Sequence, residues 1–204
     1  GMREYALYLP LYNGTESLKV GVPAAAKFEG LSPRKAKPLV FYGTSITHGA
    51  CASRPGLAHP AILGRRFEMP VINIGFSGNG RMHKEVGDLM AELDAACYVI
   101  DCLPNMVANE ILERAPELVR TLRAAHAETP ILLVEDRTYS DAFLRQVCAN
   151  LQMVDNLHYL EGEHLLGADG DDTVDGSHPT DLGFKRQAET FYPVLKELLS
   201  TYSS

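Results

Sequence analysis

The sequence predicts an α/β protein in which a parallel sheet of five strands lies between two layers of helices. From residue 38 onward, short apolar runs alternate with longer segments of helical periodicity, which is typical of strand–helix–strand units with right-handed crossovers. Several apolar runs are almost continuous, as expected for strands that are buried on both faces. The polar motifs follow the strands at their carboxyl ends, where open α/β sheets bind their ligands.

The individual elements can be placed from these patterns. The apolar runs predict strands at residues 39–43, 71–75, 97–102, 130–135 and 157–160. The helical patterns predict helices at about residues 60–67, 84–95, 107–127, 140–152 and 181–199. Pro193 lies inside the last helix, and we expect it to kink or restart that helix because proline lacks the backbone N–H group.

The N-terminal region differs from the rest of the chain. Residues 5–10 and 17–22 have the character of short strands around an Asn-Gly pair, which favours a tight hairpin turn. The polar stretch that follows contains two prolines and is typical of a linker. We therefore predict a short β-hairpin and linker over residues 1–37 and a main domain over residues 38–204. One hairpin is marginally stable, so we expect it to pack on the main domain or on a further structural unit.

Composition and charge restrict the classes of function. A chain of 204 residues with 46% hydrophobic and 22% charged residues fits one globular domain with its own core. The net charge of −7, without a run of Lys and Arg interleaved with aromatics, argues against nucleic acid as a partner. No apolar stretch approaches the ~20 residues that a membrane span requires.

The cysteines bear on metal binding and location. Cys51, Cys97, Cys102 and Cys148 form no C-x-x-C pair, so a structural zinc site is not predicted. Free thiols and the lack of a visible signal peptide favour the cytoplasm for the chain as given. A secreted or periplasmic location would follow if a leader had been removed.

Three residue types that perform acyl transfer lie at the predicted carboxyl edge of the sheet. Ser45 follows the first strand, and Asp175 and His178 lie three residues apart in a loop rich in glycine and aspartate. That spacing lets the carboxylate hold one ring nitrogen of His178 and leaves the other free to take the serine proton. Each part has a simpler interpretation, since Ser45 could cap a helix and the pair could form a surface turn. Together, in this order, they favour a serine nucleophile.

A serine nucleophile also needs hydrogen-bond donors for the oxyanion that forms during the reaction. The backbone N–H of Ser45 supplies one. Gly78 follows the second strand and lets the backbone approach a substrate closely, and Asn105, after the third strand, offers a side-chain amide. Without the serine, Gly78 would be interpreted as a turn residue and Asn105 as the N-cap of the next helix.

Two arginines are candidates for substrate binding, and no metal site is predicted. Arg54 lies close to Ser45 in the sequence, and Arg137 follows the fourth strand. Arg137 could instead form an ion pair at the edge of the sheet, and Arg54 could order its own loop. Residues 171–176 resemble the start of a calcium-binding loop, but Leu182 stands where the closing glutamate is required.

The nucleophile motif also bears on strand order. It ends in Thr47 rather than in the glycine of the α/β-hydrolase elbow, and Ser45 follows the first parallel strand. A flavodoxin-like strand order therefore fits better than the order of the α/β-hydrolase fold.

Over about residues 38–200, these motifs resemble the SGNH, or GDSL-like, esterase superfamily. The residues that match the conserved sequence blocks of that superfamily are Ser45, Gly78, Asn105, Asp175 and His178.

Longer strings at residues 41–47, 73–80 and 101–106 resemble one bacterial subfamily of these esterases, in which a β-sandwich precedes the catalytic domain. Residues 5–30 are similar to the last strands of that sandwich. Two positions depart from the superfamily's pattern, because Thr44 and Met106 stand where aspartate is common.

The resemblance implies a three-layer α/β/α fold and a serine esterase that needs no cofactor. It also implies small acyl groups, such as acetyl, on a carbohydrate or another small alcohol. Two alternatives remain open: an acyltransferase that uses the same acyl-enzyme, and a non-catalytic carbohydrate-binding domain that kept the cleft. A nucleotide-binding protein is not favoured, because no Gly-rich phosphate loop follows the first strand.

Overall fold

The computed structural model describes residues 2–137 and 142–202. Its strands are β1 (Leu39–Gly43), β2 (Val71–Gly75), β3 (Cys97–Asp101), β4 (Ile131–Val134) and β5 (Leu157–Leu160). They form one parallel sheet in the spatial order β2-β1-β3-β4-β5. This is the flavodoxin-like order, so the predicted fold class is confirmed, and each predicted strand end is correct to within one residue.

Six helices are assigned within the described residues: α1 (Ser45–His48), α2 (His59–Phe67), α3 (Lys84–Met90), α4 (Ala108–Ala125), α5 (Ala142–Asn150) and α6 (Asp181–Tyr202). Short 3₁₀ turns lie at Pro55–Leu57, Leu103–Asn105 and Gly162–His164. The predicted start of the fourth helix at residue 140 lies outside the described residues. None of the described helices is both long and apolar enough to cross a membrane.

The core occupies both faces of the sheet. Helices α3, α4 and α5 pack against one face, where Tyr42 and Leu118 are buried. Helices α2 and α6 pack against the other face, where Phe41 and Phe191 are buried. Strands β1 and β3 are buried along their whole length, as predicted for central strands that are covered on both sides.

Helix α3 is shorter than predicted and ends at Met90 rather than near residue 95. The residues after it form successive turns that lead into β3. The N–H of Ala96 then donates to the carbonyl of Pro38 at 2.8 Å, next to the start of β1. Pairing with the sheet therefore ends the helix before its apolar pattern does.

Helix α6 runs as one helix through Pro193, so the predicted restart does not occur. A proline in a helix interior costs about 3 kcal/mol. Burial of one large apolar side chain contributes about 1.5–3 kcal/mol. The packing of α6 outweighs the cost of the proline because its buried face carries Phe184, Ala188, Phe191, Leu195 and Leu198.

The N-terminal segment corrects a further prediction. Residues 2–38 contain no assigned strand, so the predicted β-hairpin is not formed. Side chains that would have formed its apolar face, such as Leu7 and Val20, are exposed. Two short strands without a second layer bury too little apolar surface to hold a hairpin. The segment instead contacts the main domain at separate points, and one of them is a hydrogen bond between the carbonyl of Leu11 and the ring of His48.

The order of the strands determines where the loops meet. Strand β1 lies between β2 and β3, so the chain connections run in opposite directions on its two sides, which makes a topological switch point. The loops after β1, β2 and β3 therefore converge at one edge. The main chain of Gly80, in the loop after β2, packs so closely on Gly43 at the end of β1 that a Cβ at Gly80 would overlap the Gly43 carbonyl.

This close approach makes Gly80 sensitive to substitution. Gly80→Ala should lower the free energy of unfolding by about 1–3 kcal/mol, because the new methyl group must displace backbone. The matched control is Gly30→Ala, since nothing lies within 4 Å of the added Cβ there, and a change within about 0.5 kcal/mol is expected. Urea denaturation measures both, and equal stability of the two variants would contradict the prediction.

Candidate active site

Ser45 opens a one-turn helix directly after β1. Thr44 caps this helix, because its Oγ1 accepts a hydrogen bond from the N–H of Ile46 at 3.2 Å. Gly49 ends it with a φ of 107°, in the left-handed region that favours glycine. Thr44 thus supplies the N-cap that an aspartate at this position would also supply.

Thr47 holds helix α1 on the sheet. Its Oγ1 donates to Oδ2 of Asp101 at 3.1 Å, and its carbonyl accepts from Nδ2 of Asn73 at 2.8 Å. Asp101 ends β3 and Asn73 lies on β2, so the helix is fixed to both neighbours of β1. Thr47 and Asp101 are completely buried, and a buried partner left without its hydrogen bond is costly.

Asp101 also holds Arg137, one of the two predicted substrate-binding residues. Nη2 of Arg137 lies 2.8 Å from Oδ2 of Asp101, and the two side chains are 1% and 0% exposed. Burial raises the pKa of Asp101, and the charge of Arg137 opposes that rise. The guanidinium is therefore buried against Asp101, and a role of Arg137 in substrate binding stays a prediction.

His59 lies beside this ion pair. Its Nε2 is 3.9 Å from Oδ2 of Asp101, and its ring stacks on Phe191 with 5.3 Å between the ring centroids. Burial, followed by the charge of Arg137, lowers the pKa of His59 well below its usual value. The ring is therefore neutral at physiological pH and belongs to the core beneath α1.

The predicted acid–base pair lies within reach of Ser45. Oγ of Ser45 is 2.9 Å from Nε2 of His178, and Nδ1 of His178 is 2.7 Å from Oδ2 of Asp175. When Nδ1 carries the proton and donates it to the carboxylate, Nε2 is left to accept from the hydroxyl of Ser45. The fold therefore brings together three residues from distant segments in the arrangement that general-base activation of a serine requires.

The loop itself fixes the carboxylate of Asp175. Its Oδ1 accepts from the N–H groups of Ser177 at 2.9 Å and of His178 at 2.7 Å, as in an Asx turn. The hydrogen bonds from the backbone and side chain of His178, with that from Ser177, lower the pKa of Asp175 from 3.8 to about 2. The carboxylate therefore stays ionised across the neutral range.

Arg186 of α6 anchors this loop. Its guanidinium lies 2.6 Å from Oδ2 of Asp169 and 2.7 Å from Oδ1 of Asp172. Asp172, in the stretch that resembled a calcium-binding loop, is thus paired with an arginine. Across residues 2–137 and 142–202, no group of three or more His, Cys, Asp or Glu side chains could hold a metal ion.

The two further predicted oxyanion donors lie on the loops after β2 and β3. Gly78 is exposed with a φ of 74°, and nothing lies within 4 Å of a Cβ placed there. Asn105 ends the 3₁₀ turn after β3, and its carbonyl accepts from Nε of Arg81 at 2.7 Å. The N-cap of α4 is Val107, so Asn105 does not have the capping role that was its simpler interpretation.

Arg54, the second predicted substrate-binding residue, is exposed in the loop after α1. Its neighbour Ser53 donates to the carboxylate of Asp181 through both the hydroxyl and the N–H, at 2.6 and 2.9 Å. This loop is therefore held against the start of α6, close in sequence to His178. The role of Arg54 in substrate binding stays a prediction.

Some residues of the site were not found from the sequence. Asp101 could have been recognised, because it is the one carboxylate at the end of the otherwise apolar strand β3. Thr47 was visible only as part of the serine motif. Packing of the N-terminal segment on the main domain was one expectation, but the sequence does not indicate the particular contacts. In one of them, the ring of Tyr12 stacks on His48, three residues after Ser45, with 4.1 Å between the ring centroids.

The fold is that of a flavodoxin-like α/β protein, and comparison with known proteins gives its family. Residues 36–152 and 147–196 match the GDSL-like lipase/acylhydrolase family, and the chain belongs to that family. No curated protein matches the chain.

Several solved structures are similar to this chain. A protein described as a GDSL-like lipase from Bacteroides ovatus ATCC 8483 has a TM-score of 0.76 and 37% identity over 81% of this chain and 54% of its own. Salicylyl-acyltransferase SsfX3 from a tetracycline biosynthetic pathway has a TM-score of 0.69 and 20% identity over 81% and 56%. A two-domain esterase active on acetylated mannans has a TM-score of 0.64 and 21% identity over 80% and 49%. The chain therefore spans about half the length of these structures.

The buried hydrogen bond of Thr47 can be tested by two substitutions. Thr47→Val keeps the branched shape but leaves Oδ2 of Asp101 without one donor, so it should lower the free energy of unfolding by about 1–3 kcal/mol. Thr47→Ser keeps the hydroxyl and removes one methyl group, for a loss of about 1 kcal/mol. Urea denaturation compares the two. A valine variant more stable than the serine variant would contradict the anchoring role of the hydroxyl.

The lowered pKa of Asp175 predicts a pH-dependent contribution to stability. Because the pKa in the folded protein lies below the ordinary value of 3.8, the ionised carboxylate stabilises the fold above about pH 4, and this contribution is lost as the pH falls toward 2. The stability difference between wild type and Asp175→Asn should therefore shrink from pH 6 to pH 2.5. Urea midpoints across that range measure it, and a difference that is constant or grows would refute the prediction.

Proposed function

We propose that the protein is a serine esterase that hydrolyses small acyl esters, such as acetyl esters, of a carbohydrate or another small alcohol. The observation that carries the proposal is the hydrogen-bond chain from Ser45 through His178 to Asp175, with distances of 2.9 and 2.7 Å. Membership of the GDSL-like lipase/acylhydrolase family supports the same reaction class.

In the first step, Oγ of Ser45 attacks the ester carbonyl while Nε2 of His178 takes the hydroxyl proton. Asp175 holds the ring through Nδ1 and stabilises the imidazolium that forms. Its low pKa supports this role, because the carboxylate is ionised at every pH at which an esterase is assayed. No cofactor is required.

The tetrahedral intermediate places negative charge on the former carbonyl oxygen. The N–H of Ser45, the N–H of Gly78 and the amide of Asn105 are the proposed donors to this oxyanion. The open surroundings and positive φ of Gly78 support its part, because a substrate oxygen can approach its main chain without meeting a side chain.

The intermediate collapses when His178 returns the proton to the leaving alcohol, which leaves an acyl group on Ser45. Water, deprotonated by His178, then releases the acid and restores the serine. Transfer to a second alcohol would follow the same path with a different acceptor. Acetylated oligosaccharides are the first substrates to test, because one similar structure is named as active on acetylated mannans.

The test is the intact mass of the protein after treatment with a fluorophosphonate probe, followed by hydrolysis of p-nitrophenyl acetate. Wild type should gain one adduct, and Ser45→Ala should gain none and lose activity by roughly 10⁴-fold or more. Ser17→Ala is the matched control, because it removes an exposed hydroxyl in the N-terminal segment and should behave as wild type.

The outcomes separate the alternatives. Absence of an adduct on folded wild type would overturn the proposal and favour a non-catalytic binding domain. An adduct on Ser45 with little hydrolysis, but acyl transfer when an alcohol acceptor is added, would favour an acyltransferase.

A further inference from the structure

Arg81 connects the two loops that carry Gly78 and Asn105. It lies three residues after Gly78 in the loop after β2, and its side chain reaches across to the turn after β3. There its Nε donates to the carbonyl of Asn105 at 2.7 Å. The bond fixes the main chain from which the Asn105 amide projects, relative to the loop of Gly78.

Helix α4 holds Arg81 from the other side. Oε1 of Glu110 lies 3.5 Å from Nη1 of Arg81 and 3.1 Å from Nη1 of Arg114. Arg114 also donates to the main-chain carbonyl of Arg81 at 3.1 Å. Both the backbone and the guanidinium of Arg81 are therefore anchored to the first turns of α4.

The rest of the loop is fixed to β1, the strand that leads to Ser45. Gly80 packs on the carbonyl of Gly43, and the N–H of His83 donates to the hydroxyl of Tyr42 at 3.2 Å. Arg81 lies between these two attachments. The Arg81 guanidinium thus links two segments. One is the loop after β2, which is held on β1, and the other is the turn after β3 that contains Asn105.

We propose that Arg81 is a positioning residue that sets the spacing of the oxyanion donors Gly78 and Asn105. The inference rests on the proposed function, because this spacing matters for catalysis only if an oxyanion forms between them. Arginine suits the task, since its rigid fork donates Nε to a carbonyl while Nη1 faces a carboxylate. Lysine carries one donor group at the end of a flexible chain and cannot make both contacts in this geometry.

The test compares Arg81→Met and Arg81→Lys with wild type. With p-nitrophenyl acetate, kcat should fall roughly 10- to 100-fold in both variants, somewhat less than the loss of a whole oxyanion donor, while KM changes less than about 3-fold. The inhibition constant of a boronic acid, which forms a tetrahedral adduct on Ser45, should weaken by a factor similar to the loss in kcat. Lysine should not restore the rate.

Lys84→Met is the matched control, because Lys84 is an exposed cation at the start of α3 that pairs with Asp88. It removes the same charge without touching Asn105, and its kcat should stay within about 2-fold of wild type. If Lys84→Met lowers kcat as much as Arg81→Met, the effect is one of net charge and the positioning role is overturned. A raised KM with unchanged kcat in the Arg81 variants would overturn it as well, since that pattern indicates direct contact with substrate.

A second readout does not depend on turnover. The ¹H–¹⁵N resonances of the Gly78 backbone and the Asn105 side chain should shift in both Arg81 variants and stay in place in Lys84→Met. Unchanged resonances in folded Arg81 variants would overturn the inference. Shifted resonances in a protein whose wild type neither hydrolyses esters nor reacts with the probe would support the positioning role while the proposed function fails.

Discussion

The close packing at the carboxyl end of β1 is the constraint on which the rest of the site depends. A side chain at Gly43 would overlap Thr47 and the backbone of Asp101, and one at Gly75 would overlap the backbone of His48. Helix α1 can therefore lie directly on the ends of three strands. Because Ser45 is the first residue of that helix, its position is set by backbone contacts, which deform less readily than contacts between side chains.

Charge is distributed differently beneath the serine and beside it. Asp101 and Arg137 form a buried ion pair below α1. In this low-dielectric surrounding, the pair is stable only with well-aligned contacts, and removal of one partner lowers the stability of the fold strongly. Asp175 is exposed, and hydrogen bonds from its own loop rather than burial determine its pKa. The buried pair holds α1 through the hydroxyl of Thr47, whereas the side chains of His178 and Asp175 lie in contact with solvent beside it.

A shared fold does not select one acceptor. The structures similar in fold to this chain include an esterase and an acyltransferase, and one fold can host different reactions because function depends on the loops around the site. If Ser45 forms an acyl-enzyme as proposed, the loops rather than the sheet would determine whether water or an alcohol accepts the acyl group.

The strands, most helices and the positions of Ser45, Asp175 and His178 could be predicted from local patterns, because apolar runs, helical periodicity and a three-residue turn each lie within a short stretch of chain. The burial of Arg137 could not be predicted in this way, because its partner Asp101 lies 36 residues away. Nor could the continuity of α6 through Pro193, which depends on the core beneath that helix. The predicted hairpin failed for the same reason, since strand character yields a strand only where a second layer covers it. Which polar groups are buried together follows only from the folded chain, because burial depends on packing between distant segments.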